Sequence, residues 1–110
     1  MGLLDGMKIR SALSKHQKGD VQGAKHDYEA LIAQGIYRPL FLLPYSVILL
    51  REGGKENLQK VKNVLAKIQR NKELTPEDRS QLLMNYAVAD WKLGNREKAV
   101  KLMESSHRER

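Results

Sequence analysis

The stretch "KLGNREKAVKLME", Lys92 to Glu104, decides the fold, because it reads as the end of one helix, a tight glycine turn and the start of a second helix. The same punctuation recurs. Gly19 and Gly53 are 34 residues apart, and Gly53 and Gly94 are 41 apart, the excess matching seven residues inserted near Gln69 to Asp78. Superposing the glycines aligns Ala12, Ser46 and Ala87 seven places before the turn, and Ala24, Leu58 and Ala99 five places after it. Short side chains let two helices approach closely, and glycine supplies the positive φ at which the chain reverses. A 34-residue helix-turn-helix period of this kind predicts a stacked helical solenoid, in which each hairpin buries its apolar face only against its neighbours.

Working outward, nearly every segment is rich in Ala, Leu, Lys, Glu and Gln, with apolar residues returning every three or four positions. No stretch reads as a strand. Breaks at Gly19-Asp20, Gly35 to Pro39, Gly53-Gly54, Asn71 to Pro76 and Gly94-Asn95 leave six helices of roughly 13 to 17 residues. Thr75-Pro76-Glu77-Asp78 is the clearest start: a hydroxyl to cap, a proline where no donor is needed, and two acids in the positively polarised first turn. The 110 residues, 41% apolar and 30% charged, suit one globular domain over 1–110 with one modest core. No cysteine is present, which removes disulfides, thiolate metal sites and cysteine nucleophiles and fits a reducing compartment. The longest apolar run, Leu40 to Leu50, is broken by Pro44 and Tyr45 and is well short of the roughly 20 residues that span a bilayer. The amino terminus "MGLLDGMKIR" lacks a signal peptide's apolar stretch, and Gly6 stands where a myristoylation motif needs Ser or Thr, so a soluble cytoplasmic protein is expected.

At these residues the chain resembles the tetratricopeptide repeat (TPR) family, whose first helix carries a Trp, a Leu-Gly pair and a Tyr and whose second carries Ala, an aromatic and Pro. The third repeat offers Leu83, Tyr86-Ala87 and Asp90, and the second Leu42, Tyr45-Ser46 and Leu49. Ala24 and Tyr28 keep the alanine-to-aromatic spacing, Ala99 and Met103 follow it loosely, and Leu58 with Lys62 depart from it. No repeat has the closing proline, and Lys8, Ser11 and Lys15 in the first suggest a solvated terminal unit. The resemblance implies an all-α, right-handed superhelical stack of three antiparallel hairpins, with repeats near 5–38, 39–72 and 76–110. It also implies a concave face lined by the first helices. Residues ten, six and three places before each turn glycine share one such face. They are Ile9, Leu13 and His16, then Leu43, Val47 and Leu50, then Met84, Val88 and Trp91. The positions that would form a carboxylate clamp in the family hold Ile9, Leu13, Pro44, Gln81 and Asn85 here, and Asn85 alone suits that role.

An apolar trough for a partner's amphipathic helix or extended segment is therefore expected, with Trp91 and Met84 as adaptable anchors. The same spacing also suits plain core, or a groove filled by the chain's own terminus or by a second copy, so domain-swapped or isologous self-association competes for these residues. Pro44 would be the sixth residue of a helix begun at Pro39, where it removes a backbone bond, so a later start near Phe41 to Leu43 is expected. The net charge of +7 concentrates at Lys55, Lys60, Lys62, Lys67, Arg70 and Lys72, opposite an apolar stripe of Leu58, Val61, Leu65 and Ile68. A solvated outer face is the favoured reading there and a nucleic-acid or other polyanion contact the alternative, since no aromatics for base stacking lie nearby. His16, His26 and His107 stand on different helices, no glycine-rich loop cradles phosphate, and Ser105-Ser106-His107 falls at an end expected to fray. No catalysis, metal or cofactor is expected.

Overall fold

The computed structural model describes residues 3–108; the last two positions of the third expected repeat fall outside them. Six helices account for most of this range: α1 Leu3–Gln17, α2 Val21–Ala33, α3 Pro39–Glu52, α4 Lys55–Ile68, α5 Pro76–Lys92 and α6 Arg96–Arg108. The described residues contain no strand. Consecutive helices pair as three hairpins, α1 with α2, α3 with α4 and α5 with α6. The hairpins are packed in series, α3 against α1 and α2, and α5 against α3 and α4.

The three glycine turns share one local geometry at their exit. In each, the second helix begins two residues after the glycine, and its first backbone bond runs from the residue five after the glycine to the residue one after it. These bonds are Ala24 N–H to the Asp20 carbonyl (3.0 Å), Leu58 to Gly54 (2.9 Å) and Ala99 to Asn95 (3.0 Å). The entries differ. At Gly19 and Gly94, φ of 91° and 94° allows a paired closure, with the glycine N–H bonded three residues back and the next N–H five residues back. Gly53 instead donates four residues back, to Leu49, and a second positive-φ glycine, Gly54, completes that turn. The six small or aligned residues flanking the turns, Ala12, Ser46, Ala87, Ala24, Leu58 and Ala99, are all buried.

The core runs along the stack. Tyr28 lies stacked on Phe41 and edge-on to Tyr45, and Ile9, Leu31, Leu42, Ile48, Leu49, Val61 and Leu65 surround this cluster. Burial pushes the Tyr28 hydroxyl up to about 12, and its oxygen sits 3.1 Å from His16 Nδ1. Between α5 and α6 the crossing is close enough for the Ser80 and Ser106 hydroxyls to meet at 2.9 Å, and Ser106 also donates to the Ser80 carbonyl. The expected fraying around Ser105-Ser106-His107 is thus corrected: α6 extends through it, because the buried Ser106 is tied to α5.

Two further expectations are corrected. Helix α3 begins at Pro39, not near Phe41 to Leu43, and runs through Pro44. Arg38 adopts extended backbone, as a residue before proline prefers, and its carbonyl accepts the first helical bond from Leu42 at 3.0 Å. Burial of Phe41, Leu42, Tyr45, Ile48 and Leu49 on this helix offsets the bond that Pro44 cannot donate to Leu40. On α4 the stripe Leu58, Val61, Leu65 and Ile68 is buried, but Lys62 does not join the outer lysines. It turns inward to α5, where its Nζ lies 2.7 Å from Asp90 Oδ1 and 5.6 Å from the centre of the Tyr86 ring.

Candidate functional site

Helices α3 and α5 enclose a cleft of about 590 Å³. The α3 wall is apolar: Pro39 and Leu40, then Leu43 and Pro44, then Val47 lie on one face of the helix, successive turns being three or four residues apart. Leu40 is 56% exposed, large for a leucine on a helix that buries most of its apolar residues. Pro44 shapes this wall, since its ring occupies the place of an amide hydrogen and leaves the turn above it without a helical donor.

The opposite wall is acidic. Glu73, Glu77, Asp78 and Gln81 line it, Glu73 from the connection between α4 and α5 and the others from the first turns of α5. The seven inserted residues that break the repeat period supply this wall. Asn71 folds the connection back, its side chain accepting from Glu73 N–H at 2.8 Å, and Leu74 is buried beneath it. Arg38 then bridges the cleft mouth to Glu73, and Arg79 donates to the Gln69 carbonyl at 3.2 Å. Asp78 is held by a reciprocal cap, accepting from Thr75 N–H at 3.3 Å while Thr75 Oγ1 accepts from Asp78 N–H at 3.0 Å. The lining therefore carries one base against three acids, in a chain whose overall formal charge is +7.

A polar relay fixes the floor. Gln81 donates to Asn85 at 2.7 Å, Asn85 to Ser46 Oγ at 2.9 Å, and Ser46 to the Leu43 carbonyl at 2.6 Å. Asn85 and Ser46 are buried, so the relay locks the register of α5 against α3 and holds the two walls apart. Asn85, the residue best suited to a carboxylate clamp, is thereby committed to packing.

The nine groove residues fall into distinct settings. Ile9 is 1% exposed and belongs to the core, which corrects its assignment to an open face. Leu43 is buried and Val47 half-buried, both on the cleft's α3 wall. Leu13, Leu50, Met84 and Val88 are half-buried, as is His16, which is turned toward Tyr28. Trp91 is 43% exposed, with the Arg96 guanidinium 5.2 Å over its ring. The nine residues chosen from the sequence leave out Leu40 and the carboxylates. The length of the inserted connection was the available signal for the latter, because residues added between α4 and α5 must surface beside the α3 start.

Lys55, Lys60 and Lys67 on α4 and Arg70 and Lys72 in the connection after it are exposed, and Lys67 reaches to 5.5 Å from the Tyr37 ring. No group of His, Asp or Glu among the described residues is arranged to hold a metal ion, and none of their helices is long and apolar enough to cross a membrane. No protein-family model, curated protein or solved structure matches the chain.

Proposed function

We propose that the three hairpins form a right-handed, TPR-like stack that works as a protein-binding module. Its docking site is the cleft between α3 and α5. The observation that carries this reading is the pairing of an apolar wall, the exposed Leu40 with the half-buried Pro44 and Val47, with an acidic lip, Glu73, Glu77 and Asp78. Such a cleft selects a segment with an aliphatic or aromatic anchor flanked by basic residues, since the anchor gains by leaving water and the flanking charges meet carboxylates rather than lysines. Val88, Met84 and Trp91 extend the apolar surface along α5. No catalytic step is assigned.

The test uses two fluorescent helical peptides of equal length, one built from Leu and Lys and the other from Leu and Glu. Anisotropy should report binding of the Leu/Lys peptide, weakened more than about tenfold by Val47→Glu. Equal binding of the two peptides, or indifference to Val47→Glu, would contradict the reading.

A further inference from the structure

The chain carries on its own surface a segment of the kind this cleft selects. The first two turns of α1 leave Leu3, Leu4 and Met7 80%, 68% and 52% exposed, while the rest of the helix is anchored through Ile9, Ala12 and the Lys15–Asp27 ion pair. Leu3, Leu4 and Met7 stand at spacings of three and four and share one helical face. Lys8 and Arg10, both exposed, flank that face. Three large apolar side chains edged by two bases complement an apolar wall edged by acids. Large apolar side chains clustered in water mark an interaction surface more often than they stand idle.

We propose that the leading end of α1 in one copy of this chain docks in the α3–α5 cleft of a second copy. This inference rests on the reading of that cleft as a docking site. The contact joins two different patches and is proposed as head-to-tail, not as a reciprocal two-fold exchange: each copy that offers its α1 end still has an empty cleft, and each that fills its cleft still has a free α1 end. Assembly is thus open-ended and grows with concentration. Met7 adapts its unbranched side chain to the irregular wall around Pro44, and Lys8 and Arg10 come within reach of the carboxylates of Glu73 and Glu77. Growth is opposed by the +7 that every copy adds, so the assembled species are short and depend on salt.

Sedimentation velocity of the full 110-residue chain, from micromolar to millimolar concentration, tests this directly. The wild type should shift from the 12.6 kDa monomer to a concentration-dependent series of larger species. Leu4→Glu with Met7→Glu blanks the α1 end, and Val47→Glu blanks the cleft. Each variant alone should remain monomeric, with the helical circular dichroism of wild type, because all three positions lie outside the core. Mixed in equal amounts, they retain one intact surface each and should form a dimer that grows no further. A wild type that stays monomeric throughout overturns the inference, as does assembly that survives either variant or a mixture that fails to pair. If a variant loses its helicity, Lys8→Glu with Arg10→Glu replaces Leu4→Glu with Met7→Glu, and Glu77→Lys replaces Val47→Glu. Each of these variants should weaken wild-type assembly more than about fivefold, and unchanged assembly overturns the inference. A monomeric wild type that still binds the Leu/Lys peptide sinks head-to-tail assembly and leaves the proposed function standing; failure of both removes both.

Discussion

Lys62 stands nine places after Gly53, the place held by the buried Tyr28 after Gly19 and by the half-buried Met103 after Gly94. The repeat therefore points this lysine inward, and the partner it meets, Asp90, occupies the place that the buried Leu49 holds before the second turn. Asp90 is fully buried, with Oδ1 bonded to Lys62 and Asn95 and Oδ2 without a hydrogen-bond partner among the described residues. Burial raises the Asp90 carboxyl, but the Lys62 and Asn95 bonds and the Lys62 and Lys98 charges outweigh it and hold the group below its ordinary range. Lys62 is raised in turn, first by its bond to Asp90. Lys62→Met leaves the carboxylate buried without its cation and should cost about 3 kcal/mol in urea unfolding. Adding Asp90→Leu should recover most of that loss, because an apolar pair of similar size replaces two charges. A group whose folded value is depressed contributes its full stability above the unfolded value, about 4 for Asp, and loses it as pH falls through the folded value. Urea midpoints between about pH 6 and about pH 3 should therefore fall less steeply in the double variant than in wild type. Charge class alone read Lys62 as surface; its repeat position was the better guide, and only the fold could supply an acid 28 positions away.

At the scale of the element, the turns were legible and the start of α3 was not. Glycine at Gly19, Gly53 and Gly94 answers to a backbone need that no neighbour alters, namely a positive φ, so the alignment of the hairpins carried through to the equivalent exit bonds. Gly94→Ala should cost about 1–2 kcal/mol in thermal or urea unfolding, through left-handed backbone strain alone. Pro44 gave a true local signal, a missing donor, and a wrong conclusion, because the tertiary burial of five neighbouring side chains on α3 outweighs one lost bond. Pro44→Ala restores the donor and should raise stability by about 1 kcal/mol or more. The same substitution removes part of the cleft wall, so the affinity for a Leu/Lys peptide should fall as stability rises, which anisotropy beside a thermal melt will separate.

For the whole molecule, the repeated hairpin explains the architecture and its interruption explains the site. Three hairpins with a common turn exit pack α1, α3 and α5 in series, and the longer connection before α5 adds an acidic wall to a chain that is basic elsewhere. Composition could not disclose this. A net charge of +7 averages over α4 and the start of the connection after it, where five bases are exposed, and over the cleft, where three acids meet one base. Recognition in the cleft should accordingly weaken when Glu77→Gln removes an exposed carboxylate that forms no ion pair among the described residues, by roughly two- to fivefold for a Leu/Lys peptide at low salt and less at high salt. The most direct measurement is a titration of isotopically labelled protein with that peptide, followed by amide chemical shifts. Changes centred on Leu40, Leu43, Val47, Glu77 and Gln81 are predicted. Changes centred on Lys55, Lys60 and Lys67 of α4, or none at saturating peptide, would contradict a docking cleft between α3 and α5.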